Sequence, residues 1–302
     1  MSERIAVRIG TSEKGGTFWT EGEALADVLR DTADMDVTVL DAVQASIENG
    51  RRLDAGLIEL GFMASNWIGR AKNAEPPFDE PVEIRNVAPA NSGAMFFIAR
   101  RDSALETVRD LIGKKVAIGP EGSGMVQHIH TIFRALGIPF DSISPAYLSF
   151  EDGGAALERG EVDAQWQCPY PNEVMRDISE RMDVKVLDHA DGDLAKIFGA
   201  VDFYRPSTMQ AGFFRGLDGD TDQLAVVNII AAHERTDEEA VRRVVSAILG
   251  NFDRLAGANP LYEGLAGLFE PLRTEGPSAL EFGGVPLHPG ALAAYREAGY
   301  LD

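Results

Sequence analysis

The chain has 302 residues, 45% of them apolar, enough to bury a large core in one large or two medium domains. Its 28 basic and 48 acidic side chains give a net charge of −20 and a pI near 4.6, with no block of Lys or Arg, which argues against nucleic acid and anionic membrane surfaces as partners. A single cysteine, Cys168, precludes an internal disulfide and reads as a structural thiol, and no apolar run approaches the roughly 18 residues of a membrane span, so no direct membrane insertion is expected.

Met1-Ser-Glu-Arg4 leads straight into an alternating strand, Ile5 to Ile9, with no signal peptide before it. The expectation is either a cytoplasmic protein or one whose targeting segment has been removed. A glycine-containing loop, Gly10 to Trp19, follows, and then Ala24, Leu25, Val28 and Leu29 recur at helical spacing. Thr20 and Glu23 match a capping box, which predicts a helix from Thr20 with Gly15, Gly16 and Thr17 just before it. Val37 to Leu40 reads as a strand, residues 43 to 54 as a helix stopped at Gly56, and Leu57 to Met63 as a returning strand. This βαβαβ order implies a parallel sheet with covering helices and right-handed crossovers. The Pro-rich acidic stretch 74 to 81 reads as an exposed loop, 83 to 90 and 94 to 99 as extended segments around Asn91-Ser-Gly93, and 105 to 111 as a short helix.

From Lys114 the rhythm restarts. A strand feeds the loop Gly119 to Gly124, and the loop opens a helix whose buried face is Val126, Ile129, Ile132, Phe133 and Leu136. Free N–H groups at Gly122, Ser123, Gly124 and Met125 would carry the positive end of the helix dipole and attract an anion, with the Ser123 hydroxyl adding a bond; the alternative is that Ser123 only caps its own helix. Next come a stop at Gly137-Ile-Pro139, a strand 146 to 150, a helix 152 to 159 ended by Gly160, and a strand 162 to 168 broken by Pro169-Tyr-Pro-Asn172. A helix through Val174, Met175 and Ile178 and a strand 184 to 187 follow. The run Leu224 to Ala231 is too apolar for a surface strand and reads as the chain re-entering the first lobe. Thr236 to Glu239 matches a second capping box, and Pro289 suits the first position of a last helix. Lobe 1 is thus residues 1–98 and 226–302 and lobe 2 residues 99–225, an α/β chain with two crossing strands and a cleft suited to a small molecule.

Catalytic signals are weak. Gly122-Ser-Gly124 lacks the spacing of a nucleophile elbow, and there is no P-loop and no His-Glu-x-x-His. His128 and His130 point to different faces of a helix, and His189, His233 and His288 have no ligand-spaced neighbours. No catalytic residue, metal or cofactor is expected. The two glycine loops could converge on one anion, or both could be ordinary strand-to-helix turns.

Several segments carry a resemblance. They are Ile9-Gly-Thr11 with Gly15 to Trp19, Ala45 to Asn49 with Leu53 to Gly56, and Ala117 to Gly124. Tyr147 to Ser149, Ala156 to Ala164, Tyr204 to Thr208 and Val285 to Ala291 continue the series, and Pro286-Leu-His-Pro-Gly290 with Tyr295 to Gly299 is the most distinctive. In this order and spacing the chain resembles, nearly end to end, the TAXI family of extracytoplasmic solute-binding proteins, the receptor components of one class of TRAP transporters. The resemblance implies the type II periplasmic-binding-protein fold, a periplasmic, monomeric, non-enzymatic receptor, and a TRAP-type membrane permease as partner. It implies a small anionic ligand, often a carboxylate such as an amino acid or a dicarboxylate. Carried over by position, the ligand residues would be Thr11, Ser12, Lys14, Gly15, Gly16, Thr17 and Phe18 in one lobe and Gly122, Ser123, Gly124 and Met125 in the other. Asn91, Gln165, Trp166, Gln167, Pro169 and Tyr170 would line the cleft.

The chain departs from the family pattern at Ser12-Glu-Lys14, Glu121, Met125 and Gln165 to Tyr170. Acids at an anion site raise the expectation that Glu13 or Glu121 meets a ligand ammonium while Lys14 and the helix starts hold its carboxylate; alternatively both glutamates face solvent. Trp19, Trp166 and Tyr170 are candidates for stacking on ligand or for the core. Two other readings stay open: a cofactor-dependent enzyme on the same fold, and a ligand-sensing subunit of a signalling receptor.

Overall fold

The computed structural model describes residues 4–302 except Gly122, Pro171 and Asn172, and only the backbone of Cys168, Pro169, Tyr170 and Glu173. In chain order the elements are β1 (Ile5–Gly10), α1 (Thr17–Thr32), β2 (Met35–Leu40), α2 (Ala45–Asp54), β3 (Leu60–Ala64), α3 (Ser65–Lys72) and the long β4 (Ile84–Arg100). Then follow β5 (Lys115–Ala117), α4 (Gly124–Leu136), β6 (Ser144–Ala146), α5 (Phe150–Glu158), β7 (Ala164–Tyr170), α6 (Glu173–Arg181), β8 (Val184–Val186), α7 (Asp193–Ala200), β9 (Tyr204–Met209) and the long β10 (Thr221–His233). The chain ends in α8 (Glu238–Leu249), α9 (Phe252–Ala258), the turn α10 (Leu272–Glu275) and α11 (Pro289–Glu297).

Two compact units divide it: Met1–Ser92 with Val227–Asp302, and Gly93–Val226. Both changes of unit fall inside continuous strands, β4 and β10, so no break in composition marks them. In the first unit β1 pairs in parallel with β2 on one side and β3 on the other, and β10 lies antiparallel on β3. Phe18, Leu25, Leu29 and Val28 of α1 pack with Val7, Ile9 and Phe62 of the sheet in its core. In the second unit β5 pairs in parallel with β6 and β7, and β4 lies antiparallel on β7. The two units therefore share one plan, three parallel strands with the first in the middle, closed by a long antiparallel strand.

The structure moves several expected boundaries. Helix α1 starts at Thr17: Thr20 N–H donates to the Gly16 carbonyl at 3.1 Å and Thr20 Oγ1 to the Thr17 carbonyl at 3.0 Å, so Thr20 is inside the helix and not its cap. Asp237, not Thr236, caps α8, accepting from Ala240 N–H at 2.8 Å. The expected strand 146 to 150 ends at Ala146 because Ser149 Oγ accepts from Asp152 N–H at 3.0 Å and opens α5. The segments around Asn91 are one strand, β4, and β7 continues through Pro169, facing a register shift of β4 between Ala94 and Phe96. Helices α3 and α7 and strand β9, short and without a clean apolar period, have no counterpart in the expected order.

The motif Pro286 to Gly290 ties the C-terminal segment to β4. Asn86 N–H donates to the Pro286 carbonyl at 3.1 Å, His288 N–H to the Asn86 carbonyl at 2.8 Å, and Tyr295 Oη to the Val87 carbonyl at 2.6 Å. The fully buried His288 caps α11, its Nδ1 accepting from Gly290 N–H at 3.2 Å, which requires the neutral imidazole that burial favours. Gly290 lets α11 press on α8: a Cβ there would overlap the Glu238 carbonyl oxygen and stand 3.0 Å from Arg242 N. Gly290→Ala is expected to lower stability by about 1–3 kcal/mol or more, by urea denaturation, because main chain has to move. Gly257→Ala in α9, where the added methyl meets nothing within 4 Å, should be neutral or slightly stabilising.

Candidate functional site

In each unit the chain leaves the middle strand, lays the next strand on one side of it, and places the third on the other. The loop after β1 and the loop after β5 therefore lie at topological switch points, at the carboxyl ends of parallel strands, the usual place for ligands in open α/β sheets. These are the two glycine loops that the sequence singles out.

In the first unit the buried Thr11 is committed to structure: its N–H and Oγ1 both donate to the Leu40 carbonyl, at 3.0 and 2.9 Å, and its carbonyl accepts from Asn49 Nδ2 at 2.7 Å. Ser12 Oγ accepts from Trp19 N–H at 3.1 Å, so α1 is capped from across the loop. Gly16 is required there, since a Cβ would stand 2.6 Å from Ser12 Oγ and 3.0 Å from the Glu13 carbonyl oxygen. Gly15 has φ +83°, a conformation glycine adopts without strain. The N–H groups of Thr17 and Phe18 have no partner among the described residues. Lys14 is exposed, with Nζ 5.6 Å from the Trp19 ring centroid and no carboxylate partner among the described residues. The Phe18 ring belongs to the core, 5.7 Å from Phe62.

In the second unit Gly119 has φ +98°, and a Cβ there would stand 2.8 Å from Met125 Cβ and 3.3 Å from Ser123 Oγ. Ser123 occupies the N-cap of α4, yet its hydroxyl caps nothing and is buried without a partner; the N–H groups of Gly124 and Met125 are equally unpaired among the described residues. Neither α1 nor α4 has an acid in its first turn, whereas α5 has Glu151 and Asp152 there and α8 has Glu238 and Glu239. Along β7, beside β5, stand Gln165 and Gln167. Gln165 Nε2 donates to the Phe150 carbonyl at 2.7 Å; among the described residues its Oε1, both buried amide atoms of Gln167 and Gln127 Oε1 on α4 have no partner. Trp166 faces the other way, packed on Phe97 at 4.6 Å and 1% exposed. Gly122 and the side chains of Pro169 and Tyr170 lie outside the described residues.

Both candidate acids for an ammonium, Glu13 and Glu121, are exposed. Two acids are buried among the described residues, Asp193, paired with Arg109, and Glu21 on α1, which has no cationic partner and is not among the sequence candidates. Asn91 Nδ2 donates to Glu21 Oε1 at 2.6 Å, Asn228 Nδ2 donates to Asn91 Oδ1 at 2.9 Å, and Glu21 Oε2 has no partner. Asn91 is thus engaged with Glu21. Burial raises the Glu21 carboxyl to about 8, with the Asn91 bond opposing the shift. Its helical spacing from Phe18 and Leu25, on the buried face, is the signal that could have found it. Among the described residues no group of three or more His, Cys, Asp and Glu could hold a metal, and no helix is long and apolar enough to cross a membrane.

This architecture is the type II periplasmic-binding-protein fold. The chain belongs to the NMT1-like family, which matches residues 9–299. A putative aliphatic sulfonates-binding protein of Escherichia coli (strain K12) is 36% identical over 78 residues, 26% of this chain and 24% of that protein, so the match spans about a quarter of the relative's length. A periplasmic sulfonate-binding protein of a putative sulfonate ABC transporter from Methylobacillus flagellatus KT superposes with a TM-score of 0.58 at 16% identity, over 100% of this chain and 89% of that one. A TctC solute binding protein from Polaromonas gives 0.56 at 13% identity, over 87% and 88%. At these identities the likeness is one of fold.

Glu21 sets a pH dependence. Unfolded, it titrates near 4.5; folded, near 8. Its contribution is most favourable below pH 4.5 and is lost as pH rises through 8, because between those values only the folded state holds the proton. In chemical denaturation from pH 5 to 8, Glu21→Gln should remove a downward slope approaching about 1.4 kcal/mol per pH unit relative to wild type.

Proposed function

We propose that the chain is the solute-binding receptor of a bacterial transporter, an extracytoplasmic protein of the TAXI type that serves a TRAP-class permease. It captures a small solute bearing an oxyanion, a carboxylate such as an amino acid or dicarboxylate, by closure of two lobes and without chemistry. One observation carries the reading: at both switch points a helix begins without a side-chain cap on its first free N–H groups and without an acid in its first turn. Such a helix start favours an anion through its N–H groups and its dipole. Ser123 Oγ and Lys14, the first without a hydrogen-bond partner and the second without a carboxylate partner among the described residues, are the side chains that supply further bonds. Gly15, Gly16, Thr17, Gly124, Met125, Gln165 and Gln167 complete the proposed contact set. The TAXI segments quoted from the sequence support the transporter class, and the names of the E. coli and Polaromonas proteins support a receptor role. A sulfonate offers the same oxyanion chemistry, and the E. coli relative's name places it among the solutes to be tried.

Native mass spectrometry of freshly purified protein, followed by thermal shift with amino acids, dicarboxylates and alkanesulfonates, tests this. A bound solute should raise the midpoint in proportion to its affinity. Ser123→Ala should weaken that solute about tenfold, the value of a hydrogen bond to a charged group, while leaving stability within about 0.5 kcal/mol because the hydroxyl makes no internal bond. If no oxyanion solute co-purifies or shifts the midpoint, the reading fails.

A further inference from the structure

The first unit contains a chain of hydrogen bonds that runs from α1 to both long strands. Asn228 donates to Asn91 at 2.9 Å and Asn91 to Glu21 at 2.6 Å, with the three residues 5%, 4% and 0% exposed. Asn91 adjoins Ser92, the last residue before β4 passes into the second unit, and Asn228 follows Val227, where β10 returns. One carboxyl on α1 is therefore joined, through two amides, to both strands at the points where the chain changes unit.

We propose that Glu21, Asn91 and Asn228 form a proton-operated latch on the two crossing strands: protonated, Glu21 holds β4 and β10 to α1, and on losing its proton it loosens them. A neutral carboxyl keeps the bond from Asn91 and leaves one O–H unpaired, a smaller cost than an uncompensated charge. An ionised one brings a full negative charge with Oε2 unpaired into a site whose neighbours offer no compensation. The groups bonded to Glu21 and to its partner are neutral: Asn91 from β4, Asn228 from β10 bonded to Asn91, and from the 3-10 turn Pro260–Tyr262 the phenol of Tyr262, which donates to the main-chain carbonyl of Glu21 at 3.0 Å. Burial holds that phenol well above its usual range, so it stays protonated when Glu21 titrates. The charge is then relieved by water reaching Oε2, and the strands that cover it have to part. The closed latch titrates at about 8, so the strands loosen progressively as pH rises toward that value and no further above it. As a regulator of solute capture the latch rests on the receptor reading, whereas its test needs no solute.

Hydrogen exchange of the solute-free full chain, in wild type and Glu21→Gln between pH 6 and 9.5 and normalised to intrinsic amide rates, decides the matter. From pH 6 to 8, where only the closed state holds the proton, segments 88–96 and 224–231 of wild type should lose protection by up to about tenfold per pH unit relative to the variant and then level off above pH 8, with β1 and α11 unchanged. Equal protection in both proteins at every pH overturns the latch, and so does a loss spread evenly over the first unit, which is global destabilisation. Should Glu21→Gln not fold, carboxyl carbon-13 titration of glutamate-labelled wild type replaces it. A carboxyl titrating near 8 together with movement of the Asn91 and Asn228 side-chain amide signals supports the latch, and titration of every glutamate in the ordinary range overturns it. None of these outcomes bears on whether the protein binds an oxyanion.

Discussion

A strand with its successors laid on both sides leaves the loop at its carboxyl end with no neighbouring loop to cover it, because the adjacent connections depart in opposite directions. The chain meets this constraint twice, at β1 and at β5, and each time answers with glycine and a helix start. Positive φ at Gly15 and at Gly119, and the absence of room for a Cβ at Gly16 and Gly119, follow from folding a short loop tightly enough to bring main-chain N–H groups to that edge. An unpaired buried polar group costs about 1–3 kcal/mol, and native structures keep few of them. Among the described residues of the second unit, Ser123 and Gln127 at and in α4 and Gln165, Trp166 and Gln167 on β7 each carry one or more, as do His189 and Gln223 elsewhere.

Much of this plan is legible in the residues, because the apolar period changes from two to between three and four at each strand-to-helix passage. Ile5 to Leu29 and Val116 to Leu136 read as the same kind of unit without any structure. What misleads is chemistry that acts across distance. Thr20 and Glu23 imitate a capping box, but the hydroxyl that caps α1 is Ser12, placed by the fold of the loop. The polar step at Asn91 breaks the apolar run of β4 and suggests two segments. The strand is nevertheless continuous, because Glu21 and Asn228, 70 and 137 positions away, satisfy the Asn91 amide inside the core. Glu21 itself looks like a surface acid in the second turn of a helix until its register with Phe18 and Leu25 is counted. The aromatic candidates Phe18 and Trp166 are drawn into the core by neighbours, Phe62 and Phe97, that sequence distance hides.

The two helix starts differ in a way that bears on the proposed solute. Helix α1 has its third N–H taken by Ser12 and keeps two free, beside the cation of Lys14 held near the Trp19 ring. Helix α4 keeps its hydroxyl and N–H groups free, and the unpaired side chains on α4 and β7 are all neutral. A formal charge is recognised most strongly where a counter-charge is available, while a hydroxyl or amide is recognised by groups that both donate and accept, as Gln167 can with both of its amide atoms. On the proposed reading the start of α1 therefore offers an oxyanion both N–H groups and a counter-charge, whereas the start of α4 offers N–H groups and a hydroxyl.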